Sequence, residues 1–415
     1  MIKKILLLLC LAYATKGLAV GDTTRVLFIG NSFTYVEDVP GLVKKLAEKA
    51  GYPFDFMMHA PGGISVGDVS QGTSAHMYNP VVYEAIRAKK WDFVVIQDNQ
   101  GRFVDGGGIF PSPSASKVIE GHLKLRDSVR HYWPCARILL FSGWAWKNGY
   151  PGLGNGEDLI RNIYENYRVL NDTMKEIIAP IGSAWLYAIG ALPAVDLWSA
   201  DLAHQSLEGS YLTAAVLYAT IFRSSPEHVA FDGGIHPPTA LQLRRLGYQA
   251  VLDSLLNSGL SNYTPELIQN GNQLVTTQSG VTYAWYKDGV RLPGNTNTQP
   301  ISGDGVYQVI VTYANDCSAR SMAKAIQVPS GVGMVATRND IRIFPNPVQD
   351  DLTIKTNGNK DELLTVAISN VTGSVIYAQS FKREATVSFG HLPQGAYFIH
   401  VSGSNGRHIS KIVKR

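Results

Sequence analysis

Three side chains suited to acyl transfer stand at two places in the chain. Ser32 lies in "GNSFT" (Gly30–Thr34), directly after the apolar run "RVLFI" (Arg25–Ile29). Asp201 and His204 lie far downstream in Asp-Leu-Ala-His, just before "SLEGSYLTAAVLYATIF" (Ser206–Phe222). A serine hydroxyl is a weak nucleophile until a base takes its proton. A histidine can take it near neutral pH, and a carboxylate can hold the imidazole in one tautomer and stabilise the imidazolium. An Asp-x-x-His spacing is common by chance. Its weight here comes from position, at the end of a region whose first strand runs into Gly-Asn-Ser.

Other residues compete for the same roles. "GISVG" (Gly63–Gly67) matches the G-x-S-x-G nucleophile elbow around Ser65. That motif needs a strand before it and a helix after it, and "DVSQGTSAHM" (Asp68–Met77) does not read as a helix. Asp232 and His236 form a second acid–histidine pair, one residue further apart, with Pro237 after the histidine. A loop and helix cap explain that pair as well. His59 and His76 lack the spacing of metal ligands. No glycine-rich phosphate loop with a following lysine occurs.

The residues need a frame. From Arg25 to about Leu256, short apolar runs alternate with amphipathic stretches. "FDFMM" (Phe54–Met58), "DFVVIQ" (Asp92–Gln97) and "RILLFS" (Arg137–Ser142) are near-continuous apolar runs, as parallel strands covered on both faces require. "GLVKKLAEKAG" (Gly41–Gly51) and "VVYEAIRAKK" (Val81–Lys90) carry helical periodicity, and a long helix is predicted over Glu157–Ile178. The order predicts an open parallel sheet with helices on both faces. Sites in such sheets collect outside the carboxyl ends of the strands, where Ser32 falls.

On these blocks the chain resembles the SGNH (GDSL-type) hydrolase superfamily, in its GNSFT-type bacterial branch, from Arg25 to about Leu256. The resemblance implies a three-layer α/β/α, flavodoxin-like domain. It makes Ser32 the nucleophile, His204 the general base and acid, and Asp201 its orienting carboxylate. The oxyanion hole would use the Ser32 amide, the Gly63 amide and the Asn99 side chain. Gly62 and Gly67 remain open for the glycine role, and Gln97 is a fallback donor. In "VVIQDNQ" (Val94–Gln100), Gln97 stands where the family has glycine and Gln100 where it has aspartate. The family proline after the histidine is missing at Gln205. In "SGWAWKNGY" (Ser142–Tyr150), Trp144 and Trp146 follow a strand and are placed at the mouth of the site, where aromatic faces suit sugar rings.

The rest of the chain bounds the setting. Of 415 residues, 45% are hydrophobic and 17% charged, and the formal net charge is only +4, which excludes a dedicated nucleic-acid binder. Lys3-Lys4, the apolar Ile5–Ala14 and "GLA" ending at Ala19 read as a signal peptide over residues 1–19. No other run suggests a membrane span. Of three cysteines, Cys10 leaves with the signal; Cys135 and Cys317 fall in different predicted domains, so no bridge between them is expected. The hydrolase domain is placed at 20–262. Residues 263–328, with "TYAWYKDGVRL" and "GDGVYQVIVT", resemble an immunoglobulin-like β-sandwich module, and 329–340 read as a linker. Residues 341–415, with "FPNP", "NVTGSVIY" and "GAYFIHV", resemble the C-terminal sorting domain of the type IX secretion system, a second small β-sandwich. That tail implies passage through the periplasm to the surface or medium of a Bacteroidetes-type bacterium, with the secretion machinery as partner. The expectation is a secreted serine esterase without cofactor or metal, acting on an ester of an acylated glycan. The alternatives are a lipase or thioesterase, or a glycan-binding surface protein on an inactive scaffold.

Overall fold

The computed structural model describes residues 23–104, 113–150, 152–328, 340–358, 361–370, 375–403 and 406–415. The expected signal peptide lies outside them, as does the expected linker apart from Asp340. The described residues up to Ile326 form one compact unit, and those from Gln327 onward form a second.

The first unit begins with β1 (Thr24–Ile29), α1 (Ser32–Tyr35), α2 (Val39–Lys49), β2 (Phe54–His59), α3 (Pro80–Arg87), β3 (Phe93–Ile96) and α4 (Pro113–Tyr132). It continues with β4 (Arg137–Phe141), α5 (Gly156–Met174), β5 (Ile177–Ala179), α6 (Ile181–Ala191), α7 (Leu207–Phe222) and α8 (Pro237–Asp253). The five strands make one parallel sheet in the order β2-β1-β3-β4-β5. This α/β arrangement is the expected doubly wound fold. Its strand order reverses between β1 and β3, the place where such sheets open a crevice. Register puts Ile29 level with His59 and Ile96, so the loops after β1, β2 and β3 leave the sheet at one height.

Local chemistry explains the boundaries. Val26, Leu27, Phe28 and Ile29 are wholly buried because helices cover both faces of β1. Asp38 caps α2 through the Gly41 N–H, and Pro40 sits in its first turn, where its missing N–H costs nothing. The helix predicted over Glu157–Ile178 stops earlier. Lys175 takes a left-handed conformation at φ 53°, and Ile177–Ala179 become the edge strand β5. In α7 every residue from Gly209 to Phe222 is buried, so its hydrophobicity runs all the way round rather than along one stripe.

The unit ends in β6 (Ile268–Asn270), β7 (Gln273–Val275), β8 (Thr282–Lys287), β9 (Val290–Arg291), β10 (Thr298–Pro300), β11 (Gly305–Thr312), β12 (Ser318–Arg320) and β13 (Lys324–Ile326). These form two antiparallel sheets, β10-β7-β6 and β12-β11-β8-β9, with β13 also on β11. Trp285 is buried in this module and donates its indole N–H to the Thr296 carbonyl.

The module is part of the same compact unit as the α/β sheet. Gln308 donates to the carbonyls of Phe222 and Arg223 at the end of α7, and the Ala323 N–H donates to Arg223 as well. Contrary to the sequence expectation, Cys135 and Cys317 are joined in a disulfide across 182 residues. Both cysteines lie in the first compact unit, where the β-module packs on the sheet and brings the thiols together.

The second unit comprises β14 (Ile341–Phe344), β15 (Asp351–Thr356), β16 (Leu364–Ser369), β17 (Val375–Phe381), β18 (Glu384–Ser388), β19 (Gly395–Gly403) and β20 (Gly406–Lys414). They form sheets β14-β15-β18 and β17-β16-β19-β20 around a core of its own, which includes Leu352, Val366, Phe389 and Ile399. Among the described residues no helix is long and apolar enough to cross a membrane.

Candidate active site

Ser32 opens α1, at the tip of β1. A Cβ on Gly30 would collide with Thr34 and with Gln97 of the neighbouring loop, so only glycine lets the two loops approach this closely. Asn31 caps the short helix by accepting the Phe33 N–H at 3.1 Å, and its own N–H donates to Gln97 Oε1 at 2.7 Å. The Ser32 N–H has no protein acceptor among the described residues.

Asp201 and His204 share one short loop before α7. Asp201 Oδ2 accepts from His204 Nδ1 at 2.6 Å, while Oδ1 accepts the Ser199 hydroxyl and the Ala203 and His204 N–H groups. The hydrogen bond from His204, aided by these other donors, holds the Asp201 carboxyl well below the usual carboxylate range. With Nδ1 committed to Asp201, Nε2 is the nitrogen left for a substrate-side proton.

Several contacts place this loop beside Ser32. Gln205 donates to the Phe33 carbonyl at 3.2 Å and to the Val36 carbonyl at 2.9 Å. The Phe33 ring meets the His204 ring edge-on at 5.5 Å between centroids. Ser32 and His204 make no direct hydrogen bond in this structure. Catalytic hydrogen bonds of unliganded enzymes often tighten only when substrate is bound.

The loop after β2 is held peptide by peptide. Gln71 bridges it, donating to the Gly63 carbonyl at 2.9 Å and accepting the Ser65 N–H at 2.9 Å. Asn31 donates to the Ile64 carbonyl at 3.0 Å, tying this loop to the serine turn. Gly63 has φ +71°, and the space where its Cβ would stand is open, while its N–H has no protein acceptor among the described residues. Gly62 faces the Tyr35 hydroxyl, and Gly67 is pressed against the Lys117 carbonyl on α4.

Asp98 couples this loop to the next. Its Oδ1 accepts the Val66 N–H at 2.8 Å and the Asn99 N–H at 2.7 Å. The side chain is fully buried, and burial pushes its carboxyl up against the opposing pull of His122 and the two N–H groups. Asn99 accepts the Gly101 N–H through Oδ1 at 3.0 Å, leaving its amide NH2 without a protein acceptor among the described residues. Gln97 is occupied, accepting from Asn31 and Thr34 and donating to the Asp98 carbonyl at 2.5 Å. It brackets the serine turn to the loop after β3. Gln100 donates to the Asp98 carbonyl and accepts the Gly143 N–H, bracing the loops after β3 and β4.

Trp144 does not line the mouth. It is wholly buried, stacked on Trp185 at 4.2 Å and packed on Phe33, and its indole donates to the Ala203 carbonyl. It supports the histidine loop from below. Trp146 is 44% exposed, with its ring tilted against Tyr150.

The rivals are placed elsewhere. Ser65 is buried, and a 3-10 turn over Val69–Ser74, not an α-helix, follows it. Asp232 pairs with buried Arg244 at 3.1 Å, and His236 stands directly before α8. The bracing amides Gln71, Gln97 and Gln205 were not assigned these roles from sequence. The available signal was the polar run Gln97–Gln100 directly after a buried strand.

Comparison with known proteins gives three findings. Residues 342–415 match the family model of the secretion system C-terminal sorting domain. That tail marks the chain for export to the cell surface or medium. A search among curated proteins finds no match.

Among solved structures, the chain is similar to a DUF4886 family protein from Bacteroides uniformis, at 18% identity and TM-score 0.45, covering 56% of this chain and 95% of that one. It is also similar to an acetylxylan esterase from Geobacillus stearothermophilus, at 19% identity and TM-score 0.33, covering 49% and 96%. A third is a DUF3244 family protein with an immunoglobulin-like β-sandwich from Bacteroides vulgatus, at 22% identity and TM-score 0.17, covering 18% and 85%. Likeness at this level carries no activity across.

Proposed function

We propose that this chain is an exported serine esterase of the SGNH type that removes short acyl groups, O-acetyl foremost, from carbohydrates. Ser32 Oγ attacks the ester carbonyl carbon while His204 Nε2 takes its proton. The carbonyl oxygen becomes an oxyanion facing the Ser32 and Gly63 N–H groups and the Asn99 amide. Collapse breaks the ester C–O bond; the departing sugar oxygen receives the proton from His204, and the acyl group remains on Ser32. Water, deprotonated by His204, then attacks the acyl carbon, and Ser32 Oγ leaves with that proton. Asp201 stays ionised throughout and stabilises the imidazolium.

The observation that carries this reading is the Asp201–His204 pair at 2.6 Å, on a loop that Gln205 fastens to the helix starting at Ser32. Three donors without protein acceptors, from three loops leaving the sheet at one height, support the oxyanion role. Exposed Trp146 beside Tyr150 offers an aromatic face for a sugar ring.

The test is hydrolysis of p-nitrophenyl acetate, butyrate and laurate, then of acetylated xylan and pectin, by the full chain and Ser32→Ala. Acetate is expected to be the best acyl group, with activity lost in Ser32→Ala. Preference for laurate would turn the reading to a lipase.

A further inference from the structure

A second cavity lies at the opposite end of the sheet from Ser32. It is formed where the β-module packs on the first residues of β1, β3 and β4, and its volume is about 610 Å³. That size suits a small polar ligand. Four cationic side chains line it, Arg25, Lys90, Arg137 and Arg320, against two carboxylates, Asp92 and Asp316. The cations of the lining outnumber its carboxylates by four to two.

Aromatic rings and neutral oxygens also meet these positive groups. Arg320 spreads over the Tyr52 and Tyr286 rings and donates to the Gln308 side-chain oxygen at 3.4 Å. Arg137 lies over the Tyr263 ring at 4.4 Å. Behind them Arg223 is buried, and its guanidinium donates to the Thr264 hydroxyl and the Ile221 carbonyl. Burial, and then the charges of Arg320 and Arg137, push Arg223 down to about 9. Glu176, a buried carboxylate at this end of the sheet, pairs with Arg130 at 2.6 Å and also feels the charge of Arg137. Cations that outnumber the carboxylates around a cavity are poised for an anion, because buried or half-buried charge is stable only when paired.

We propose that this cavity is a binding site for a small oxyanion-bearing ligand of about the size of an acidic or phosphorylated monosaccharide, held by Arg137 and Arg320. It is separate from the Ser32 site and does not depend on the esterase reading. The ligand's carboxylate or phosphate would face the two guanidinium groups, and its hydroxyls would meet the polar rim.

The experiment is isothermal titration of the full chain with glucuronate, glucose 6-phosphate and glucose at constant ionic strength. Saturable binding of at least one anion, at Kd of about 1 mM or tighter, is expected, with none for glucose. Glucuronate alone would assign a carboxylate source and glucose 6-phosphate alone a phosphate source. Arg320→Gln and the half-exposed Arg137→Gln should each weaken binding about tenfold or more. Lys90→Gln, at an exposed position that cannot disturb the core, should weaken it less but measurably. Ser32→Ala should bind as the parent does. Equal binding of glucose, absence of saturable binding by either anion, or unchanged affinity in all three cation variants would overturn the proposal.

Discussion

Asn99 is the proposed oxyanion donor whose loss is simplest to read, since its Oδ1 is already engaged by the Gly101 N–H and its NH2 has no protein acceptor among the described residues. Asn99→Ala is expected to lower kcat by about 10²–10³-fold with little change in KM, as for other oxyanion donors. Steady-state kinetics on p-nitrophenyl acetate checks it. Asp98 is a positioning residue beside it. Asp98→Ala leaves the Val66 and Asn99 N–H groups without their acceptor in a buried place, at a cost of about 1–3 kcal/mol each. Urea unfolding should register that loss, and kcat should fall with it.

His76 gives a pH-dependent prediction. It is wholly buried, touches the Gly30 carbonyl at 2.9 Å, and burial pushes it down to about 4. Unfolded, it would titrate near 6.5, so between those values only the unfolded chain takes the proton. Stability is therefore full above about 6.5 and declines as pH falls toward about 4, by up to about 3 kcal/mol from this residue. Half-buried His59 and buried His122 act in the same direction and Asp98 in the opposite one. The decline in Tm between pH 7 and pH 4.5 should be smaller in His76→Gln.

At the scale of elements, the site is built from four loop ends locked together by side-chain amides. Gln205 is the strut between the histidine loop and α1. Gln205→Ala should leave the far-UV circular dichroism spectrum unchanged and lower kcat on the order of tenfold to 10²-fold, because small misplacements of a base are costly. Unchanged kcat would remove Gln205 from the positioning scheme.

The strands and the Gly-Asn-Ser turn were legible because burial imposes apolar runs and a tight turn imposes glycine. The amide struts were not, since a glutamine's partner across 66 or 169 residues leaves no local pattern. Trp144 misled for a related reason. A tryptophan after a strand is equally compatible with a mouth or a floor, and only its stack on Trp185, which lies on α6, decides. The early end of α5 came from a left-handed Lys175, a conformation that no residue type there announces.

At the scale of the whole molecule, the order of modules was readable from changes in hydrophobic period, from helical to alternating. The packing of the β-module on the sheet was not, and neither was its disulfide. Cys135 stands just before β4, at the end of the sheet away from Ser32. Replacing Cys135 and Cys317 together by serine should cost about 2–5 kcal/mol of stability. Esterase turnover at 25 °C should be unchanged. Denaturant titration beside the kinetic assay checks both.

The central claim is that Ser32 is an activated nucleophile. The most direct measurement is labelling of the full chain with a fluorophosphonate probe, followed by peptide mass spectrometry, beside Ser32→Ala and His204→Ala. The account predicts a single adduct on Ser32, absent in Ser32→Ala and slowed about 10³-fold or more in His204→Ala. An adduct on Ser65, or none on a well-folded parent, would contradict it.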